Sequence, residues 1–210
     1  MERWDGIQRA ERRTSILLAT GEHDIGWLEA DAAPIVDATT GRIQDFRSVP
    51  LEIRQGAWPR AVARLSHDPW AAALVAHHAV FVYDRFRGEP EWNAFFAQME
   101  VLRQTLLQRV ERLTFDDLVR DYTFVRLGDL ASLAFCCGWT DPQEFAGHVM
   151  RLVGMKLVVT PDPFAGREIA IEIGARALPD RSFDSAEDAA NAYRAADRTV
   201  LSGSVVGAAP

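Results

Sequence analysis

Cysteine is nearly absent from this chain: 210 residues hold two, Cys136 and Cys137, and they are adjacent. A bridge between neighbouring cysteines strains the peptide that joins them, so no disulfide framework is expected, and a reduced pair fits a reducing compartment. Their apolar setting, LASLAFCCGW, predicts two small core residues. Long apolar runs are also missing. None approaches the roughly 20 residues that span a bilayer, and MERWDGIQRAERR at the N-terminus leads into no signal-type run with a cleavage site. The expectation is a cytoplasmic protein with no membrane role. An excess of basic charge is lacking too: 23 Lys and Arg stand against 30 Asp and Glu, a net −7. That balance suits a phosphate backbone poorly, so broad nucleic-acid binding is excluded while a local basic pocket is not. There is no Walker loop, no Gly-x-Gly-x-x-Gly, no Cys-x-x-Cys and no Gly-x-Ser-x-Gly elbow around Ser132. Repeats and low-complexity tracts are absent.

What is present is a foldable globular composition, with 48% hydrophobic and 25% charged residues. Helical patterning dominates the first three quarters. Residues 7–28 predict a helix, weakened by Gly21 and Gly26; Pro34, Gly41 and Pro50 then mark a long irregular loop over 30–50. Further helices are predicted over 52–65, over 70–86 behind the Asp68-Pro69 start signal, over 89–113, and from Thr114 to Cys137. Asp141-Pro142 predicts a short helix to about Arg151 that carries His148 on its surface. The pattern then changes to strands over 155–160, 168–174 and 200–206, with a helix from Ser185 to Arg198. The expected architecture is a mainly α protein. A helical body over 1–153 carries a β-strand-containing tail over 154–210, packed as one domain.

Chemistry concentrates where polar ligands interrupt apolar helices. GEHDIGW places His23 beside Asp24 after an apolar run. His77 and His78 sit inside AAALVAHHAVFVY, and Asp129 inside VRLGDLASLAF. Each alone reads as a satisfied core polar group. Buried imidazoles and carboxylates need partners or a metal, and together these groups suit Zn, Fe or Mn. Adjacent helical residues point about 100° apart, so only one of His77 and His78 can aim at a shared ion. Trp27, with Glu29 and Asp31, follows the pair closely and is a candidate for a pocket mouth; Arg85 and Arg126 are candidate phosphate contacts. The turn DATTGRIQDF could form a lid, because the loop is long and close to His23. Trp92, Phe95 and Phe96 read as core, with an interface as the alternative.

The stretches EHDIGWLEADAAPIVDATTGRIQDF, DPWAAALVAHHAVFVYDR, LGDLASLAFCCGW and VTPDPF resemble an uncharacterised bacterial family, domain of unknown function 3891. A more distant likeness is to the HD-domain metal-dependent phosphohydrolases, whose pattern is His…His-Asp…Asp. The likeness implies an HD-like helical bundle with a divalent metal held by His23, Asp24 and Asp129. It implies that His78 is a further ligand or a general acid, with Trp27 and Arg126 toward a small phosphorylated substrate such as a nucleotide. One departure stands out: no histidine precedes His23, where the HD pattern requires one, so the expected site is short of a ligand or the chain starts late. The alternative expectation is a non-catalytic helical domain that binds a small molecule or a protein and keeps an incomplete metal site.

Overall fold

Asp68 starts the central helix of the molecule. Its carboxylate accepts from the backbone N–H groups of Trp70 and Ala71 at 3.1 and 3.0 Å, and Pro69 occupies the first turn, where its missing N–H costs nothing. The computed structural model describes residues 1–8 and 10–209. In chain order the helices are α1 (Asp5–Gln8), α2 (Arg13–Glu22), α3 (Leu28–Ala32), α4 (Leu51–Arg64), α5 (Pro69–Val82), α6 (Asn93–Gln108), α7 (Phe115–Cys137) and α8 (Ala186–Ala195). The strands are β1 (Gln143–Phe145), β2 (His148–Val153), β3 (Lys156–Thr160), β4 (Ile169–Arg176) and β5 (Arg198–Gly207). Helix α5 is apolar on every face and every residue from Trp70 to Val80 is buried. Such a helix needs neighbours all round, and α2, α4, α6 and α7 supply them.

Helix α7 is bounded by its own sequence. Thr114 and Asp117 form a reciprocal capping box, and Gly138 closes the helix in the left-handed region at φ 64°. The predicted helix over 7–28 is instead two short helices and a 3-10 turn over Ile25–Trp27, which breaks the chain directly after His23 and Asp24. The loop over 30–50 is irregular, with one bridge between Val36 and Ile43. Asp37 accepts from the N–H groups of Thr39 and Thr40, the tight turn that its motif predicts.

The expectation of a mainly α, HD-like bundle with a small β-rich C-terminal segment is overturned. The molecule combines its helices with a sizeable five-stranded mixed sheet in the order β1-β2-β3-β5-β4, parallel between β3 and β5 and antiparallel elsewhere. The helix predicted after Asp141-Pro142 is the hairpin of β1 and β2. Ala146 and Gly147, at φ 48° and 76°, form its two-residue turn, with Phe145 opposite His148. Met150 and Leu152 alternate inward between outward Arg151 and Val153, a period of two that overrides the Asp-Pro start signal. The sheet therefore begins at Gln143, inside the stretch expected to be helical.

One continuous core runs from the helices into the sheet, joining Leu74, Met99 and Val125 to Met150, Leu157 and Val159. Trp92, Phe95 and Phe96 lie in it. Cys136 and Cys137, predicted as core residues, are exposed: they occupy the last turn of α7, where no neighbouring element covers them. His148 lies on β2 rather than a helix, half-buried with its ring 4.9 Å from that of Trp4. Among the described residues no helix is long and apolar enough to cross a membrane.

Candidate metal centre

Three helices deliver one polar side chain each to a common point. His23 caps the C-terminus of α2, His78 sits at the buried centre of α5, and Asp129 lies mid-way along α7. All three are buried, and one ligand atom from each falls within 4.8 Å of the others. His23 Nε2 is 3.5 Å from Asp129 Oδ1, and His78 Nε2 is 3.8 Å from Asp129 Oδ2. The approach of α2 to α7 depends on Gly128, beside Asp129, because a Cβ there would stand 2.4 Å from Thr20 Cγ2.

Each imidazole is oriented by its other nitrogen. His23 Nδ1 lies 2.9 Å from the Thr20 carbonyl, which can only accept, so Nδ1 carries a proton and Nε2 is the nitrogen turned to the carboxylates, the one that would give up its proton to a metal. His78 Nδ1 is 3.0 Å from the Tyr122 hydroxyl, a contact in which Nδ1–H can donate and leave Nε2 bare. This is how metal-ligating histidines are usually held. His23 Nε2 is buried without a hydrogen-bond partner; the carboxylate oxygens near it, Asp24 Oδ2 at 3.2 Å and Asp129 Oδ1, are not in line with a ring N–H. Two imidazole nitrogens and a carboxylate are a donor set that fits a divalent transition ion.

The same groups interact strongly as titrating charges. Burial alone would lower the pKa of His23, but Asp129 and Asp24 raise it to about 10. Burial lowers His78 to about 3. Burial would raise Asp129, yet His23, His78 and Arg126 bring it to about 2. The cluster thus favours a negative Asp129 and a neutral His78.

Asp24 stands outside the trio, largely exposed on the solvent side of His23. Arg126 donates through Nη1 to Asp129 and lies over the Phe81 ring, while its buried Nε has no partner. His77, on the other face of α5, accepts from Arg103 Nη1 at 2.9 Å and is away from the trio. Trp27 packs with Val49 and Ala57 in a small separate cluster. Glu29 pairs with Arg60 and Arg64, and Arg85 lies over Phe86. The loop proposed as a lid is tied at Thr40 and Gly41 to Ser182 and Phe183.

Sequence reasoning missed Tyr122 and Trp58. Tyr122, Arg126 and Asp129 recur at spacings of four and three, one face of a helix, and that periodicity was available to find Tyr122. Trp58, whose ring is 5.3 Å from that of His78, gave no such signal. A cavity of about 470 Å³ between α2, α7 and the sheet is lined by residues such as Leu17, Phe135, Leu157 and Ile171, and includes none of the trio.

A family model described as "Protein of unknown function (DUF3891)" matches residues 1–180. The chain belongs to this family. No curated protein and no solved structure matches it. The DUF3891 match holds all three helices that carry His23, His78 and Asp129 and ends before α8 and β5, although β5 lies inside the sheet between β3 and β4.

Proposed function

We propose that this protein is a divalent-metal-dependent phosphohydrolase, related at a distance to the HD hydrolases, that acts on a phosphate ester or nucleotide. The observation that carries the reading is the convergence of His23, His78 and Asp129, with His23 Nε2 buried and unpartnered at its centre. His23, His78 and Asp129 would hold Mn, Fe or Zn. The bound ion would supply Lewis acidity toward a phosphoryl oxygen and lower the pKa of water. His78, buried with Nδ1 against the Tyr122 hydroxyl and Nε2 toward Asp129, would serve as a ligand rather than a general acid. Asp24, exposed beside His23, is the solvent-side carboxylate that would complete the ligand set or accept a proton from water. The free Nε of Arg126 would orient a phosphoryl oxygen.

A second reading is favoured by one observation. Without an ion, His23 sits as a cation between Asp24 and Asp129, and Arg126 pairs with Asp129, a self-sufficient ion network for a non-catalytic binding domain. Elemental analysis of the purified chain separates the two. The enzyme reading expects about one equivalent of transition metal and metal-dependent hydrolysis of phosphomonoesters. A chain that holds no metal and takes up none of Mn, Fe or Zn is the ion network.

A further inference from the structure

Next to the candidate metal centre, two buried nitrogen donors on α4 have no hydrogen-bond partner. Trp58 is 4% exposed, and its indole N–H has no hydrogen-bond partner. Arg54, one turn earlier on the same face, has a buried Nε that is equally unpartnered. Unpaired buried donors are costly and call for an explanation. The Arg54 guanidinium lies 5.8 Å over the Trp92 ring, Trp92 packs on Tyr83 at 4.6 Å, and Tyr83 closes back on Trp58 at 6.0 Å. Trp58 in turn lies edge-on to His78. These contacts make one wall that begins at a ligand of the metal centre and ends at Arg54.

Tyr83 closes the wall beside these donors: burial raises its phenol pKa, and the neighbouring Trp58 N–H and the Arg54 charge work against that rise. Indole and guanidinium N–H groups only donate. Their natural occupant is an acceptor-only group, and in a chain of net charge −7 such a concentration of donors is set against the overall field.

We propose that Arg54, Trp58 and Tyr83 form an oxyanion subsite beside the metal centre, which takes a phosphate group of the substrate. Its part in a reaction rests on the metal-centre reading; its affinity for an anion rests on the unpartnered donors alone. The full-length chain, ¹⁵N-labelled, is titrated with inorganic phosphate in zinc-loaded and chelator-treated forms while its six tryptophan indole N–H resonances are followed. One resonance should shift saturably in both forms and be missing from Trp58→Phe. In Arg54→Gln its half-saturation should rise at least about tenfold, and Arg54→Lys, which keeps the charge without the Nε donor, should fall between. The other five resonances report the fold; should Arg54→Gln disturb them, Arg54→Lys carries the comparison. If no indole resonance moves in either form, or Arg54→Gln and Arg54→Lys saturate like wild type, the subsite is refuted. A shift in the chelator-treated form of a chain that binds no metal would keep the subsite and remove the hydrolase.

Discussion

Gly26 presses against the backbone of Ala57. A Cβ at position 26 would stand 1.8 Å from the Ala57 carbonyl oxygen and 2.9 Å from the Ala61 nitrogen. Arg60 and Arg64 reach across to the Gly26 and Ile25 carbonyls, so the turn after His23-Asp24 is pinned to α4 from both sides. The glycine that looked like a helix breaker is what lets the pair sit beside its ligand partners. Gly26→Ala should cost about 3 kcal/mol through overpacking against rigid backbone and also weaken metal binding, because His23 moves. Gly21→Ala, inside α2 with nothing within 4 Å of its added methyl, is the control: it should leave metal binding unchanged and raise stability by up to about 1 kcal/mol through helix propensity. Thermal unfolding and metal titration of the two variants make the comparison; equal stability would refute the close approach.

The carboxylates at the centre should not be equivalent. Asp129 is buried between both histidines and Asp24 is solvent-facing. Asp129→Ala, like His23→Ala, should reduce bound metal to trace levels, whereas Asp24→Ala should retain it with affinity about 10–100-fold weaker. In wild type, metal at a hundred times its Kd should stabilise the fold by about 2.7 kcal/mol, a rise in Tm of about 5–10 °C for a chain of this size. Elemental analysis and thermal melts with and without chelator read these effects. An identical loss in Asp24→Ala and Asp129→Ala would contradict the ranking.

Asp121 is a structural tie with no part in the site. It accepts from Arg12 Nε at 2.5 Å and from the Trp70 indole at 2.9 Å, joining the entry of α2 and the start of α5 to α7. Asp121→Ala leaves the buried Trp70 indole N–H unpaired and strips Arg12 of its nearest carboxylate, with Glu11 and Asp117 still 3.7 and 3.9 Å away, and should cost about 2–3 kcal/mol. Asp121→Asn keeps an acceptor for Trp70 and should cost less, about 1–2 kcal/mol. Metal content should be unchanged in Asp121→Asn. Denaturant melts check the order, and a neutral Asp121→Ala would show that the tie carries nothing.

The convergence of His23, His78 and Asp129 was legible in part: His78 and Asp129 break apolar helices, where a polar group must have a reason to be, and His23 follows an apolar run, whereas Asp24, expected beside them as a ligand, stands outside the trio. Only the family resemblance singled out His78 over His77, since residues 100° apart look alike in one dimension. The sheet was read too short. Asp141-Pro142 is a strong local start signal, and only the pairing of 143–145 with 148–150 reveals that Ala146-Gly147 is a turn. Cys136 and Cys137 misled for a related reason, because an apolar run does not say where a helix projects beyond its neighbours. Arg54 and Trp58 carried no signal at all: a donor without a partner exists only in three dimensions.

His77 makes the pH dependence of stability testable apart from the metal centre. Its neighbours are Arg103, which donates to Nδ1, and the rings of Tyr122 and Phe115 at 4.6 and 5.6 Å. Burial, aided by the Arg103 charge, lowers its pKa from 6.5 to about 4. The folded chain therefore keeps His77 neutral in a range where the unfolded chain protonates it. Below pH 6.5 the unfolded state binds more protons, so stability should fall as pH drops from 6.5 toward 4 and this contribution should level off below that. The loss should be of order 1–3 kcal/mol. His78, with its pKa lowered to about 3, acts in the same direction, so His77→Gln should lose only part of the slope. The measurement is the difference in unfolding free energy between wild type and His77→Gln from pH 7 to 4.5, which cancels the ordinary carboxylates. Parallel curves over that window would mean that His77 is protonated in the fold and that Arg103 does not donate to it.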